Sequence, residues 1–204
     1  RYSYDVRLPG QLYAHVLRSP HPHARITRID TSKAEALPGV RAILTHKNAP
    51  DIAWYEESKL FDRTVRFVGD EVAAVAADSE EIAEDALRLI EVEYQRLPFV
   101  TDIAAALAKN APALYKKGNI AGEPQKYKRG APAAGFKAAD IIIEREFTTQ
   151  TAVHNSLEPH GCTAVWEGEQ LTIYASTQGV WAVRADVAEK LELPEHHVRV
   201  IKQY

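Results

Sequence analysis

The sequence has no methionine, one cysteine, no long apolar run and no large excess of charge of one sign. Cys162 alone cannot form a disulfide within the chain, so we expect a reducing compartment, the cytoplasm, rather than export. The longest apolar runs, residues 72–77 and 103–108, are far shorter than the roughly 20 residues that span a bilayer. We therefore expect no membrane span. Because an initiator methionine is missing, we also expect a piece of a longer polypeptide.

Other absences remove whole classes of chemistry. The 25 lysine and arginine residues are nearly balanced by 28 aspartate and glutamate residues, which gives no support for a nucleic-acid partner. No glycine-rich loop follows a predicted strand, so a nucleotide-phosphate site has no support either. The single cysteine excludes a Cys-x-x-Cys pair, and with it a thiolate zinc or iron–sulfur site in this segment. What remains is a globular composition, 46% hydrophobic and 26% charged, that can bury a core.

The most distinctive element of the first half is a run of small apolar residues at 71–77, typical of a strand that is covered on both faces. Asp78 is predicted to cap the helix that follows, with Glu81 completing a capping box. Apolar residues at helical spacing predict the helix face that packs on the sheet: Ile82, Ala86, Leu89 and Ile90. Further strands are predicted at residues 12–18, 23–30, 40–45 and 91–94.

A second unit is predicted after a connector that is rich in glycine, proline and lysine and has no periodicity. We expect the basic residues of this connector to be solvated. Beyond it, the pattern predicts strands at residues 141–148, 161–167, 171–176 and 198–201, with an amphipathic helix at residues 180–191. The mixture of strands and helices predicts an α+β fold class.

The densest polar cluster of the sequence is His154, Glu158 and His160. A functional interpretation makes Glu158 a base and the histidines ligands or acids. We prefer the alternative, in which the carboxylate and imidazole groups tie neighbouring backbone together at the entrance to a strand. Cys162 as a nucleophile would need a base within hydrogen-bonding reach, so we predict a buried structural cysteine instead.

Two histidine pairs and one glutamine are further candidates on residue type alone. The pair His21 and His23 flanks a proline and is interpreted as a turn rather than a metal site. The pair His196 and His197 is placed at an exposed corner between helix and strand. Gln178 follows a predicted strand and precedes a helix, where its amide is placed to donate to a ligand or to serve as a helix cap.

Four segments, in this order, resemble the large, molybdenum-binding subunit of the xanthine oxidase family of molybdenum hydroxylases. They are LPGQLYAHVLRSPHPHARITRIDTSKAEALPGVRAILT, RFVGDEVAAVAAD, IEVEYQRLPFVTDIAAAL and LEPHGCTAVWEGEQLTIYASTQGVWAVRADVAEKLELPEHHVRVI. The resemblance covers nearly the whole chain and is weakest at residues 112–139. It implies an α/β hammerhead domain at residues 1–107, a connector at 108–139 and the first strands and helix of the molybdopterin-binding domain at 140–204.

The resemblance also implies a function. Such enzymes hydroxylate or oxidise an electron-poor carbon of a small molecule at a molybdenum–molybdopterin cofactor. They pass the electrons to iron–sulfur clusters and FAD on partner subunits or domains. Gln178 matches the family glutamine whose amide binds the apical oxo group of the cofactor. The segment Glu158–His160 matches a family segment for which we carry over a structural role only.

The same resemblance limits what this segment does by itself. It implies that the catalytic glutamate and most cofactor contacts lie beyond the segment, so we expect no catalytic residue, no metal ligand and no activity in this segment alone. A non-catalytic hammerhead module that serves assembly or subunit contact stays open as the alternative.

Overall fold

The structure is a computed structural model and describes residues 2–123 and 125–202. Strands and helices alternate along these residues, which confirms the predicted α+β class. The strands are β1 (Tyr13–Arg18), β2 (Ala24–Asp30), β3 (Val40–Thr45), β4 (Thr64–Val65), β5 (Glu71–Ala77), β6 (Glu91–Arg96), β7 (Cys162–Glu167), β8 (Gln170–Ala175) and β9 (Val198–Ile201). The helices are α1 (Ser32–Glu35), α2 (Glu80–Leu89), α3 (Ile103–Leu107), α4 (Pro132–Ala138) and α5 (Val180–Lys190), with short 3-10 helices at Ser3–Asp5 and Glu195–His197.

The first unit, from β1 to β6, contains two three-stranded sheets. In one of them β5 lies between β1 and β3 and is antiparallel to both, which confirms the predicted central strand. In the other, β2 lies between β4 and β6. The side chains of Val72, Ala73, Val75 and Ala77 have no solvent exposure. Small residues are required here because β5 is enclosed between its neighbouring strands and α2.

Helix α2 packs on this core with the predicted face. Ala86 and Ile90 are buried, and Ile82 and Leu89 are half-buried against the same cluster. Ala83, which the periodicity did not single out, is also fully buried.

The predicted cap of α2 is wrong by one residue. Ser79 is the N-cap, and its Oγ accepts a hydrogen bond from the Ile82 backbone N–H at 3.3 Å. Asp78 is engaged elsewhere, because its two carboxylate oxygens accept bonds from the Arg41 guanidinium at 2.7 and 2.6 Å. The Asp78 backbone N–H also donates to the Gly39 carbonyl at 2.9 Å. Residue 78 therefore lies before the N-cap and outside the helix.

The second unit, from β7 to β9, is a three-stranded sheet with β8 in the centre. Strands β7 and β8 form an antiparallel hairpin, whereas β9 runs parallel to β8 and is reached through α5. Its small core consists of five buried residues: Leu171, Ile173, Ala175, Ala188 and Val198. These elements confirm the predicted strands and helix at residues 161–201, but Ala188 is the one residue of α5 that is buried, and Leu191 is exposed.

The predicted strand at residues 141–148 is wrong. This segment has no hydrogen-bonded neighbour in the part of the chain that the structure describes, and its apolar side chains are exposed. A β-strand needs a partner that satisfies its backbone N–H and C=O groups, and the apolar pattern alone does not supply one.

The basic residues of the connector are exposed, as predicted, but its backbone and Tyr115 make contacts with the first unit. Helices α3 and α4 lie close to or within the connector. Arg66 donates to the Leu114 carbonyl at 3.3 Å, and its guanidinium lies 5.1 Å from the centre of the Tyr115 ring. The backbone N–H of Lys116 donates to the Glu57 carboxylate at 2.7 Å. Part of the connector is therefore docked on the first unit. Across residues 2–123 and 125–202, the structure contains no helix of the length and apolarity needed to cross a membrane.

Candidate functional site

Gln178 lies where the central strand of the second unit ends. Along β8 the side chains of Leu171, Ile173 and Ala175 point into the small core, as the period of two of a strand requires. The strand ends at Ala175 and α5 begins at Val180, so residues 176–179 form a turn between them. In α/β structures the carboxyl end of a strand that is followed by a crossover helix is a common place for ligands.

Hydrogen bonds hold this 176–179 turn at both ends. On the strand side, the Ser176 Oγ accepts from the Gly161 N–H at 2.8 Å and lies 3.1 Å from the Gly161 carbonyl oxygen, to which it donates. On the helix side, the Thr177 Oγ1 accepts from the Gly179 N–H at 3.1 Å. The Gly179 carbonyl then accepts the first hydrogen bond of α5, from the Val183 N–H.

The side chain of Gln178 is exposed at the middle of this turn. Within the described part of the chain, its amide takes part in no hydrogen bond, so both its N–H groups and its carbonyl are available. The N-cap of α5 is Gly179, which has no side chain to cap the first amide groups of the helix. The uncharged amide and these backbone N–H groups favour a ligand that accepts hydrogen bonds.

Glu158 is a structural contact in this structure, as predicted. Its Oε1 accepts from the backbone N–H of the buried Ser3 at 2.8 Å. The next residue, Tyr4, donates its hydroxyl to the Glu80 carboxylate of α2 at 2.7 Å. The 3-10 helix at Ser3–Asp5 therefore connects the two units, and the carboxylate of Glu158 is engaged rather than free to act as a base.

The structure does not bring the other members of the polar cluster together. His154 and His160 are exposed, and in the described residues neither imidazole takes part in a hydrogen bond. Metal or acid–base chemistry at this cluster therefore has no geometric support.

The prediction that Cys162 is buried is wrong. Cys162 is the first residue of β7, and the exposed face of that strand carries Cys162, Ala164 and Trp166, whereas Thr163 and Val165 are half-buried. The predicted strand is present and its side chains alternate between the two faces, but Cys162 lies on the solvent-exposed face. Partial desolvation of the sulfur nevertheless raises the pKa of the Cys162 thiol above its ordinary value, which favours the thiol over the nucleophilic thiolate.

The two histidine pairs have structural contacts. His23 is buried, and its Nδ1 lies 2.7 Å from the Pro98 carbonyl oxygen, a contact that sequence reasoning missed. The ring of His21 packs edge-on against Tyr94 at 4.9 Å, and the rings of His196 and His197 lie 4.4 Å apart. No group of three or more His, Cys, Asp or Glu side chains in the ranges 2–123 and 125–202 is arranged to hold a metal ion.

A cleft of about 900 Å³ lies elsewhere, between the segments on either side of β4 and one face of α5. Aromatic side chains of these segments, including Trp54 and Phe67, line the cleft together with Val183 and Val187 of the helix. The apolar residues of α5 predicted that one face of the helix is covered, but they did not predict which residues of the chain lie against it. Gln178 does not line this cleft, so the two features are separate.

Comparison with known proteins relates this architecture to one family. A family profile described as "Aldehyde oxidase and xanthine dehydrogenase, a/b hammerhead domain" matches residues 1–98. A second profile, described as "Molybdopterin cofactor-binding domain", matches residues 114–204. The matched ranges follow one another along the chain and correspond to the two units of the structure.

Individual proteins agree with the profiles. The xanthine dehydrogenase molybdenum-binding subunit of Escherichia coli O157:H7 is 34% identical, with the match covering 100% of this chain and 29% of the relative. The nicotinate dehydrogenase large molybdopterin subunit of Eubacterium barkeri is 36% identical over 99% of this chain and 49% of its own length. The crystal structure of quinoline 2-oxidoreductase from Pseudomonas putida 86 is 33% identical and superimposes with a TM-score of 0.81, over 99% of this chain and 28% of that one. The chain thus spans between 28% and 49% of the length of these proteins.

Proposed function

Because the chain belongs to the aldehyde oxidase and xanthine dehydrogenase family of molybdenum hydroxylases, we propose that it works as part of the large, molybdenum-binding subunit of such an enzyme. In this proposal the first unit is the α/β hammerhead domain, at residues 1–107, and residues 108–139 connect it to the start of the molybdopterin-binding domain at 140–204. The two family profiles, at residues 1–98 and 114–204, support two successive units, although the second profile also covers most of the proposed connector.

The observation that carries the proposal is the placement of Gln178. Its amide lies at the carboxyl end of β8, on a turn held at both ends, and is free of hydrogen bonds to the described residues. The oxo oxygens of a molybdenum cofactor accept hydrogen bonds, and an uncharged N–H donor orients such an oxygen without adding a net charge. The residues present therefore fit the group, and Gln178 is the residue of this segment that would hold it.

When bound, the cofactor supplies the redox chemistry that oxidises or hydroxylates an electron-poor carbon. This segment contributes binding and orientation. Gln178 would donate a hydrogen bond from its amide N–H to the cofactor, and the first backbone N–H groups of α5, which begins two residues later, would be available as further donors. The Glu158 carboxylate is not free to move a proton here, since it accepts a hydrogen bond from the Ser3 N–H.

Partners and substrate follow from the family assignment. The similar proteins are named as subunits, and we propose an iron–sulfur subunit and a flavin subunit that carry the electrons away. Three of the similar proteins are named for the nitrogen heterocycles xanthine, nicotinate and quinoline, which supports a small-molecule substrate. The single cysteine supports a cytoplasmic location.

The test uses the complete molybdenum-binding subunit purified with its natural partners. Metal analysis should find molybdenum in the assembled enzyme, and analysis of the extracted cofactor should find pterin. Gln178→Glu replaces a donor with a carboxylate that, when ionised, only accepts, so it should strongly reduce turnover or molybdenum content. Gln178→Asn keeps the amide on a shorter side chain and should be milder. Gln170→Glu makes the same chemical change at the exposed opposite end of β8 and should behave like the wild type.

Two results would contradict the proposal at different levels. An assembled protein without molybdenum or pterin would favour a non-catalytic hammerhead module that serves assembly. Full activity and full metal occupancy in Gln178→Glu would leave the enzyme assignment intact and reduce Gln178 to a turn residue.

A further inference from the structure

We propose that Ser176 is a positioning residue, whose hydroxyl sets the place of Gln178 by fixing the 176–179 turn to the backbone of Gly161. The inference rests on the proposed cofactor role of Gln178 and adds a residue that does not itself touch the cofactor. It follows from the hydrogen bonds at the end of the β7–β8 hairpin.

The ladder between β7 and β8 ends with the pair Cys162 and Ala175. The next pair in register is Gly161 and Ser176, and here side-chain and backbone bonds act together. The Ser176 backbone N–H donates to the Gly161 carbonyl at 3.1 Å, and the hydroxyl accepts from the Gly161 N–H at 2.8 Å while donating to the same carbonyl at 3.1 Å. The hydroxyl therefore supplies two of the three bonds that hold the strand side of the turn.

Gln178 has no such contact of its own among the described residues. Its position is set by the two ends of its turn, and Ser176 is only two residues away along the chain. The helix side is fixed by Thr177 and by the first turn of α5. Loss of the Ser176 hydroxyl leaves the Gly161 N–H without its partner, and only the Ser176 N–H bond to the Gly161 carbonyl then holds this end of the turn. The range of positions open to the Gln178 amide becomes wider as a result.

The other side of this contact is itself anchored. Gly161 follows Glu158 by three residues, and Glu158 is bound to Ser3 near the start of the chain. The segment that receives Ser176 is thus held against the first unit, so that Ser176 connects the turn to a fixed point rather than to a free strand end.

The experiment uses the complete, cofactor-loaded enzyme and the variants Ser176→Ala, Ser176→Thr and Ser32→Ala. Ser32→Ala is the matched control, because its exposed hydroxyl donates to the Asp30 carboxylate at 2.7 Å in the first unit and touches neither the turn nor its anchor. Losing one or two net hydrogen bonds should lower kcat about three- to tenfold in Ser176→Ala, with KM little changed. The electron paramagnetic resonance spectrum of the molybdenum centre should shift in the same direction as in Gln178→Asn. Ser176→Thr restores the hydroxyl and should restore both readouts, and Ser32→Ala should match the wild type in both.

A Ser176→Ala enzyme with wild-type kcat and a wild-type spectrum would overturn the inference while leaving the molybdenum assignment in place. A wild-type protein that contains no molybdenum would instead overturn the proposed function and, with it, this inference. If Ser176→Ala does not assemble, Ser176→Cys keeps the side-chain volume with much weaker hydrogen bonding. Hydrogen exchange at Gly161 and Gly179 should then be faster than in the wild type, and unchanged exchange would overturn the inference.

Discussion

Replacing Gly39 with alanine should destabilise the first unit more than any other glycine-to-alanine change in a turn of that unit. Gly39 has φ of +93°, a conformation that L-residues rarely adopt. A Cβ at this position would lie 2.7 Å from the Ile82 Cδ1 and 3.5 Å from its Cγ2. The left-handed backbone conformation of an alanine lowers the free energy of unfolding by about 1 kcal/mol. Displacing the Ile82 side chain from its place against the core lowers it by about 1–2 kcal/mol more.

Native-state hydrogen exchange of the β5 and α2 amides in the complete protein measures this loss. A destabilisation of about 2–3 kcal/mol should accelerate exchange roughly 30- to 150-fold. Gly10→Ala is the matched control, since Gly10 has φ of +72° and a Cβ added there would meet no atom within 4 Å. Gly10→Ala should lower the free energy of unfolding by about 1 kcal/mol, because of its backbone conformation alone.

The variant Ile82→Val removes the atom that the new methyl group would meet. Because the clash is then relieved, the double variant Gly39→Ala with Ile82→Val should be more stable than the sum of the single effects by about 1 kcal/mol. Equal costs for Gly39→Ala and Gly10→Ala, or strict additivity in the double variant, would refute the reasoning.

Three further predictions follow from local contacts. Ser79→Ala should cost about 1 kcal/mol, seen as faster exchange in the first turn of α2. Asp78→Ala should affect those amides less, and the reverse order would show that Asp78 is the cap. The rate of alkylation of Cys162 by iodoacetamide should rise with pH at a midpoint above that of N-acetylcysteine, because desolvation raises the thiol pKa; a midpoint at or below it would contradict this. The isolated chain should bind the dye ANS through exposed apolar residues such as Ile141 and Phe147, and absence of binding would argue for a self-sufficient domain.

Elements whose signal is local were predictable from the sequence. Strand β5 and helix α2 carry their own periodicity, and the structure has both where they were expected. The cap of α2 was missed because both Asp78 and Ser79 are good caps. Which of them serves depends on Arg41, a residue 37 positions away that takes the aspartate. The strand at residues 141–148 was wrongly predicted, because an apolar pattern says nothing about whether a partner strand is present.

The residues of the candidate site were likewise predictable where their signal is local and unpredictable where it depends on distant parts of the chain. The position of Gln178 between a strand and a helix follows from two adjacent local patterns. The face on which Cys162 lies depends on which side of β7 meets the small core, and the sequence of one strand does not decide this. The contact between Ser3 and Glu158 joins residues 155 positions apart, and nothing in either residue's neighbourhood marks it. The hydroxyl of Ser176 was visible as part of a polar turn, but its bonds to Gly161 depend on the hairpin register.

The docked part of the connector changes how the two units find each other. Between Arg96 at the end of β6 and Cys162 at the start of β7, the chain would otherwise be one long tether. Contacts of Arg66 with Leu114 and Tyr115 divide this tether into two shorter ones. Each halving of a flexible loop lowers the entropic cost of closing it by about 0.6 kcal/mol. The second unit is thereby kept at a higher local concentration beside the first. A single, partly buried hydrogen bond such as that of Glu158 then suffices to favour the contact between the units.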